Sequence, residues 1–92
     1  MIETFLDDAP TLIATLRSSL ERGDAEELRR AAHSLKSNGQ TFGASDFAGL
    51  CRQLEEGAKR HELDGASSLV DRIDHEYGAL AEALAALRGG AV

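Results

Sequence analysis

The sequence predicts an all-α fold, an up-down-up-down antiparallel four-helix bundle. Three observations predict it. Four apolar stripes recur at helical spacing. No segment alternates with period two, and β-branched residues are scarce. The breaks between stripes are short and rich in glycine, so consecutive helices must double back on one another. The 92 residues are enough for one domain, 1–92, with one core.

The first helix is expected over residues 8–22, with the stripe Phe5, Leu6, Ala9, Leu12, Ile13, Leu16 and Leu20. Asp8 is its expected cap, with Pro10 in the first turn, where a missing N–H costs little. That leaves a short extra helical turn around Ile2 to Leu6 as a separate piece. Gly23 ends the helix. The second helix, 24–42, opens on "DAEE", with Asp24 at the N-cap and Glu27 three residues on as in a capping box. Its stripe is Leu28, Ala31, Ala32, Leu35, Gly39 and Phe42, and Gly43 stops it. The third, 45–61, is expected to be capped by Ser45 and to bury Phe47, Leu50, Cys51, Leu54 and Ala58. The fourth, 65–88, follows Gly65, with Asp64 or Ser67 as its cap. Its stripe is Leu69, Ile73, Tyr77, Leu80, Leu84 and Leu87, and "RGGAV" is a frayed tail. Each helix is apolar on one face, so none is expected to be stable alone.

Composition narrows the function. The formal net charge is −6 and there is no basic run, a poor match for nucleic acid. No stretch approaches the ~18 apolar residues of a membrane span. "MIETFLDDAP" has acids where a secretory signal carries Lys or Arg. The single cysteine, Cys51, cannot form an internal disulfide and suits a reducing compartment, so a cytoplasmic location is expected. Cys51 lies on the third stripe and reads as a small core residue. His61 sits where a cation suits the end of helix three. His75 lies about 120° off the fourth stripe, on the exposed side. No histidine pair has metal-ligand spacing. Glu26–Glu27 and Glu55–Glu56 read as ordinary helix-surface charge.

The second helix carries the chemistry. At about 100° per residue, His33 lies roughly 140° from the centre of the buried face and looks outward. Arg29 and Arg30 lie one turn back, Lys36 and Ser37 one turn on, and Gln40 two turns on. Ser37, Gly39 and Gly43 keep this end slim, so a bulky partner can approach the ring. An imidazole, with an ordinary pKa of ~6.5, is a nucleophile at neutral pH. Lys36 beside it could offset the charge of a phosphoryl group. Arg29 and Arg30 add a positive field for an acidic partner. Phosphoryl transfer needs mainly positioning and electrostatics, which such a strip supplies. The plain alternative is a solvated polar face on a helical interaction module, with the histidine inert.

"AAHSLKSNGQTFGA", residues 31–44, resembles the signature of histidine-containing phosphotransfer (HPt) domains. The matching residues are His33, Leu35, Lys36, Ser37, Gly43 and Ala44. "FLDDAPTLIATLRSSLERGDAEELRRAAHSLKS" is similar to the family's first two helices and "LCRQLEEGAK" to its third, so the likeness covers roughly residues 3–61. The resemblance implies a four-helix phosphoryl carrier without kinase activity. It implies that His33 accepts the phosphoryl group from a receiver-domain aspartate and passes it to another receiver, with Lys36 as the phosphate-side cation. Ser37 stands where many members have Gly. Glu55 falls where some members place a Gln or Glu against the other ring nitrogen, and its spacing puts it at the edge of helix three's buried face. Implied partners are response-regulator receiver domains and a hybrid histidine kinase, met through Arg29, Arg30, Lys36, Ser37, Gln40 and Gly43 by a monomer. No cofactor is expected on this chain; Mg²⁺ is expected on the receiver. A second reading within the resemblance is the histidine substrate domain of a chemotaxis-type or hybrid kinase, phosphorylated directly.

Overall fold

A computed structural model describes the backbone of residues 2–41 and 43–90 and the side chains of residues 8–41 and 43–86. Four helices follow in order: α1 (Ile2–Arg22), α2 (Ala25–Thr41), α3 (Ser45–Lys59) and α4 (Ala66–Gly90). Each packs on its neighbours in sequence, and α4 closes the ring against α1, so the bundle is antiparallel and singly wound. The most extensive interface is α2 against α3. The molecule is elongated, 46 × 21 × 19 Å. At 1.5 Å per residue, α4 is about 15 Å longer than α3 and extends past it.

The core follows the stripes. Ala9, Ile13 and Leu16 of α1, Leu28, Ala31, Ala32 and Leu35 of α2, all five expected residues of α3, and Ile73 and Leu84 of α4 are buried. Val70 and Ala66 join them, although neither is in the expected fourth stripe. Phe5, Leu6, Phe42 and Leu87 lie outside the described side chains. Ser19 is buried too, and its hydroxyl donates to the Thr15 carbonyl at 2.6 Å. Arg17 reaches from α1 to Asp71 (3.0 Å) and Asp74 (2.9 Å) of α4, an exposed clasp of small energetic weight.

The ends of the helices show where local sequence rules hold. Asp24 Oδ1 accepts from the Glu27 N–H at 3.0 Å, while the Glu27 carboxylate turns to Arg22 at 2.6 Å, so only half of the capping box forms. Three helices end in one motif, in which two successive N–H groups beyond the helix return to carbonyls of its last turn: Gly23 and Asp24 for α1, Gly43 and Ala44 for α2, His61 and Glu62 for α3. The first residue of each pair is left-handed, with φ of +68°, +70° and +57°.

Several expectations are corrected here. The first helix does not start at Asp8, and no separate leading turn precedes it: α1 runs unbroken from Ile2 through Pro10. Ala9 and Ile13 anchor the chain in the core on either side, and Pro10 is exposed, so the lost hydrogen bond falls on the solvent face. Ser45 does not cap α3; Ala44 holds the cap position with no side-chain bond. The helix ends at Lys59 rather than 61 because His61 turns left-handed. Neither Asp64 nor Ser67 caps α4; the Gly65 carbonyl accepts its first hydrogen bond, from the Leu69 N–H at 3.2 Å. The helix continues through Gly90 instead of fraying at 88, since "ALAEALAALR" consists almost wholly of strong helix formers.

Gly39 sets the approach of α2 to α3. A Cβ there would lie 2.9 Å from Phe47 Cδ2 and 3.4 Å from both the Ala48 Cβ and the Ala48 N. Gly49, by contrast, has open space around it. Gly39→Val is expected to lower stability by about 1–3 kcal/mol through overpacking. Gly49→Ala is expected to raise it by about 0.5–1 kcal/mol through helix propensity. Urea unfolding of the two variants measures both.

Candidate functional site

The heptad-like stripe of α2 turns Leu28, Ala32 and Leu35 inward and so aims His33 away from the core. The His33 side chain is 56% exposed. It is not an isolated surface residue. Its Nδ1 lies 2.8 Å from Glu55 Oε2 on α3, and Lys36 Nζ donates to Glu55 Oε1 at 2.6 Å. One carboxylate thus bridges two side chains a helical turn apart on the facing helix.

Glu55 is buried, with only 8% of its side chain exposed. This corrects the reading of Glu55 as surface charge. The antiparallel register, tightened at Gly39 and Ala48, carries that edge of α3 under the His33–Lys36 turn. Burial pushes the Glu55 carboxyl upward, but the hydrogen bonds from Lys36 and His33 outweigh it and hold the group below its ordinary 4.5. An ionised carboxylate only accepts hydrogen bonds, so Nδ1 must carry the hydrogen in this contact. The neutral ring then keeps its lone pair on Nε2, the nitrogen turned away from Glu55.

The other expected residues form a rim. Arg29 is tied to Glu26 at 2.6 Å, which raises the Arg29 pKa and lowers that of Glu26, and it also lies within electrostatic range of Glu55. Arg30, Ser37, Gln40 and Gly43 are exposed. No side-chain hydrogen bond among the described residues joins Ser37 or Gln40 to the His33–Glu55–Lys36 group, whose side-chain bonds are those between Glu55 and its two partners. Gly39 is buried, as its place in the α2 stripe implies, and it acts on the helix spacing rather than on the exposed end. The bonding of Lys36 to Glu55 was not foreseen. Its signal was the i, i+3 spacing of His33 and Lys36, which lets one carboxylate on a neighbouring helix reach both.

Elsewhere, Cys51 is fully buried and its thiol is pushed up to about 12 by burial, which makes it an unreactive core residue. His61 and His75 are exposed. No group of His, Cys, Asp and Glu among the described residues is arranged to hold a metal. No helix among them is long and apolar enough to cross a membrane.

A four-helix bundle presenting one carboxylate-anchored imidazole on its second helix defines a class of helical histidine-bearing modules. The comparisons narrow that class. The family model described as Hpt domain matches residues 1–90, and the chain belongs to that family. Histidine-containing phosphotransfer protein 5 of Arabidopsis thaliana is 28% identical over 80 residues, covering 84% of this chain and 51% of that protein. The chain therefore spans about half the length of that relative. The crystal structure of histidine-containing phosphotransfer protein B (HptB) from Pseudomonas aeruginosa PAO1 superposes with a TM-score of 0.93 at 34% identity, over 96% of this chain and 76% of that one.

The Glu55 bridge ties stability to pH. Its carboxyl is lowered in the folded state, so its contribution is fully present above 4.5 and is lost as pH falls through the lowered folded value. Glu55→Gln is expected to cost about 2 kcal/mol at pH 6, the scale of charge-assisted hydrogen bonds. The gap between wild type and variant should close as pH drops from 4.5 toward 2. Urea titrations across that range measure the gap, and a constant difference would contradict the assignment.

Proposed function

We propose that this chain carries a phosphoryl group on His33 between receiver domains of a multistep phosphorelay. The observation that supports this most directly is the division of the imidazole: Nδ1 is held by Glu55, and Nε2 is left as a solvent-facing nucleophile. The Nε2 lone pair attacks the phosphorus of a receiver's aspartyl phosphate. An N–P bond forms, the P–O bond to the aspartate breaks, and its electron pair leaves with the carboxylate. The ring, still protonated at Nδ1, becomes a cation whose charge faces the Glu55 carboxylate. Attack by a second receiver's aspartate runs the same step in reverse and restores the neutral ring.

The chain supplies the nucleophile, its orientation and an open approach. Ser37 on α2 and Gly43 just beyond its end present little bulk beside the ring, and Arg29 and Arg30 favour an acidic partner. Mg²⁺ belongs to the receiver in this reading. The carrier has no kinase activity of its own and acts as a cytoplasmic monomer. Its contact with receivers and with a hybrid histidine kinase is of the weak, transient kind that a relay requires.

The test is transfer from a phosphorylated receiver in the presence of Mg²⁺. Wild type is expected to acquire label that survives alkali and is lost in acid, as a phosphoramidate is. His33→Gln is expected to acquire none while keeping its helical circular dichroism. Label persisting on the variant would place the acceptor elsewhere; an unlabelled wild type across several receivers would favour a purely interacting bundle.

A further inference from the structure

We propose that Lys36 is a positioning residue that acts on the imidazole through Glu55, not a ligand of the phosphoryl group. The geometry points there. The Lys36 side chain is only 21% exposed, and its ammonium donates to Glu55 Oε1 at 2.6 Å, while the opposite oxygen, Oε2, faces His33 Nδ1 at 2.8 Å. The two oxygens of a carboxylate lie in one plane, so fixing Oε1 fixes the direction of Oε2. Lys36 thereby sets which atom meets the ring. It also shares the negative charge that would otherwise act on the imidazole alone. An unshared carboxylate favours the doubly protonated ring, which has no lone pair to attack with. Burial of Glu55 leaves little water to take over either task.

The consequence is unusual and separates this role from direct phosphate contact. In Glu55→Gln the amide has one oxygen and one NH₂. Lys36, which can only donate, claims the oxygen. The NH₂ then donates to Nδ1, and the ring's hydrogen moves to Nε2, blocking the nucleophile. Removing Lys36 from that variant frees the amide to flip, so that its oxygen again accepts from Nδ1–H. A second substitution at Lys36 is therefore expected to restore what the first removed. A lysine that touched the phosphoryl group would give the opposite result, a further loss.

Two measurements on the whole chain decide this, with wild type, Lys36→Met, Glu55→Gln and the double variant. The first is ¹⁵N NMR of the His33 ring, which reports the tautomer without any phosphotransfer. Wild type is expected to be mainly Nδ1–H, Glu55→Gln mainly Nε2–H, and the double variant mainly Nδ1–H again. In Lys36→Met the Glu55 carboxyl, followed by ¹³C NMR, is expected to titrate higher than in wild type. Arg29 on α2 and His33 itself are the other charged or titratable groups that face it. The second measurement rests on the phosphotransfer reading. Phosphoramidate transfers its phosphoryl group to Nε2 with release of ammonia and avoids any receiver interface. Uptake is expected to be about tenfold slower in Glu55→Gln, the scale of a hydrogen bond to a charged group, and to recover in the double variant. A double variant slower than Glu55→Gln, or a ring tautomer or carboxyl midpoint indifferent to Lys36, would overturn the proposal. Absence of uptake by wild type would instead count against His33 as a phosphoryl acceptor, while the NMR results would still decide the role of Lys36.

Discussion

A buried carboxylate between α2 and α3 organises this molecule. Taking Glu55 out of water is costly, and the cost is offset only because α2 delivers two donors to it, one turn apart. The bridge needs both helices in one register. A slide of α3 by a turn would leave Glu55 buried without partners and would bring Lys36 and His33 to other side chains. Apolar packing alone is more forgiving, since Leu and Ala stripes tolerate small shifts. The ion bridge and the Gly39–Phe47 contact remove that freedom at the same interface. The most extensive helix pair is thus also the one that holds the candidate site.

The electrostatics of this face differ from those of the chain as a whole. The formal net charge is −6. Around His33, however, Glu55 of α3 is engaged by Lys36, and Glu26 is engaged by Arg29. Arg30 makes no ion pair among the described residues. An acidic protein can therefore present a neutral to cationic surface, which suits the acidic partner proposed above. Net charge describes long-range repulsion, whereas the local balance governs the final approach, because surface charges are screened over about 10 Å at ordinary salt.

How much of this was legible in the sequence depends on the range of the cause. The helices and the outward aim of His33 follow from periodicity within a single segment, and the structure places them as that periodicity implies. The stops at Gly23 and Gly43 follow from the residue that tolerates a positive φ. His61 ends α3 in the same conformation without being glycine, because two returning N–H bonds fix its backbone from both sides. No local signal marks that. Pro10 marked a start locally, but the buried residues on both sides of it overrode the signal. Glu55 sits between these cases. Its spacing placed it at an edge, but which way that edge turns depends on how α3 lies against α2. The attachment of Lys36 needed that packing as well.

On the proposed function, the same bridge explains why a carboxylate suits a phosphoryl carrier when it is shared. A group that accepts from Nδ1–H must stabilise the ring's positive charge once Nε2 bears phosphorus, or the forward step is hindered. If it stabilises that charge too strongly, the phosphoryl group is not released to the next acceptor. A lone buried carboxylate lies at the strong end, since low-dielectric surroundings amplify its field. A neutral amide lies at the weak end. Glu55 with Lys36 on its other oxygen lies between them, an acceptor with a full hydrogen bond but a partly offset charge. That intermediate strength is built from one residue on each of two helices and one i, i+3 spacing, so it is fixed by the fold and does not have to be rebuilt when a partner arrives.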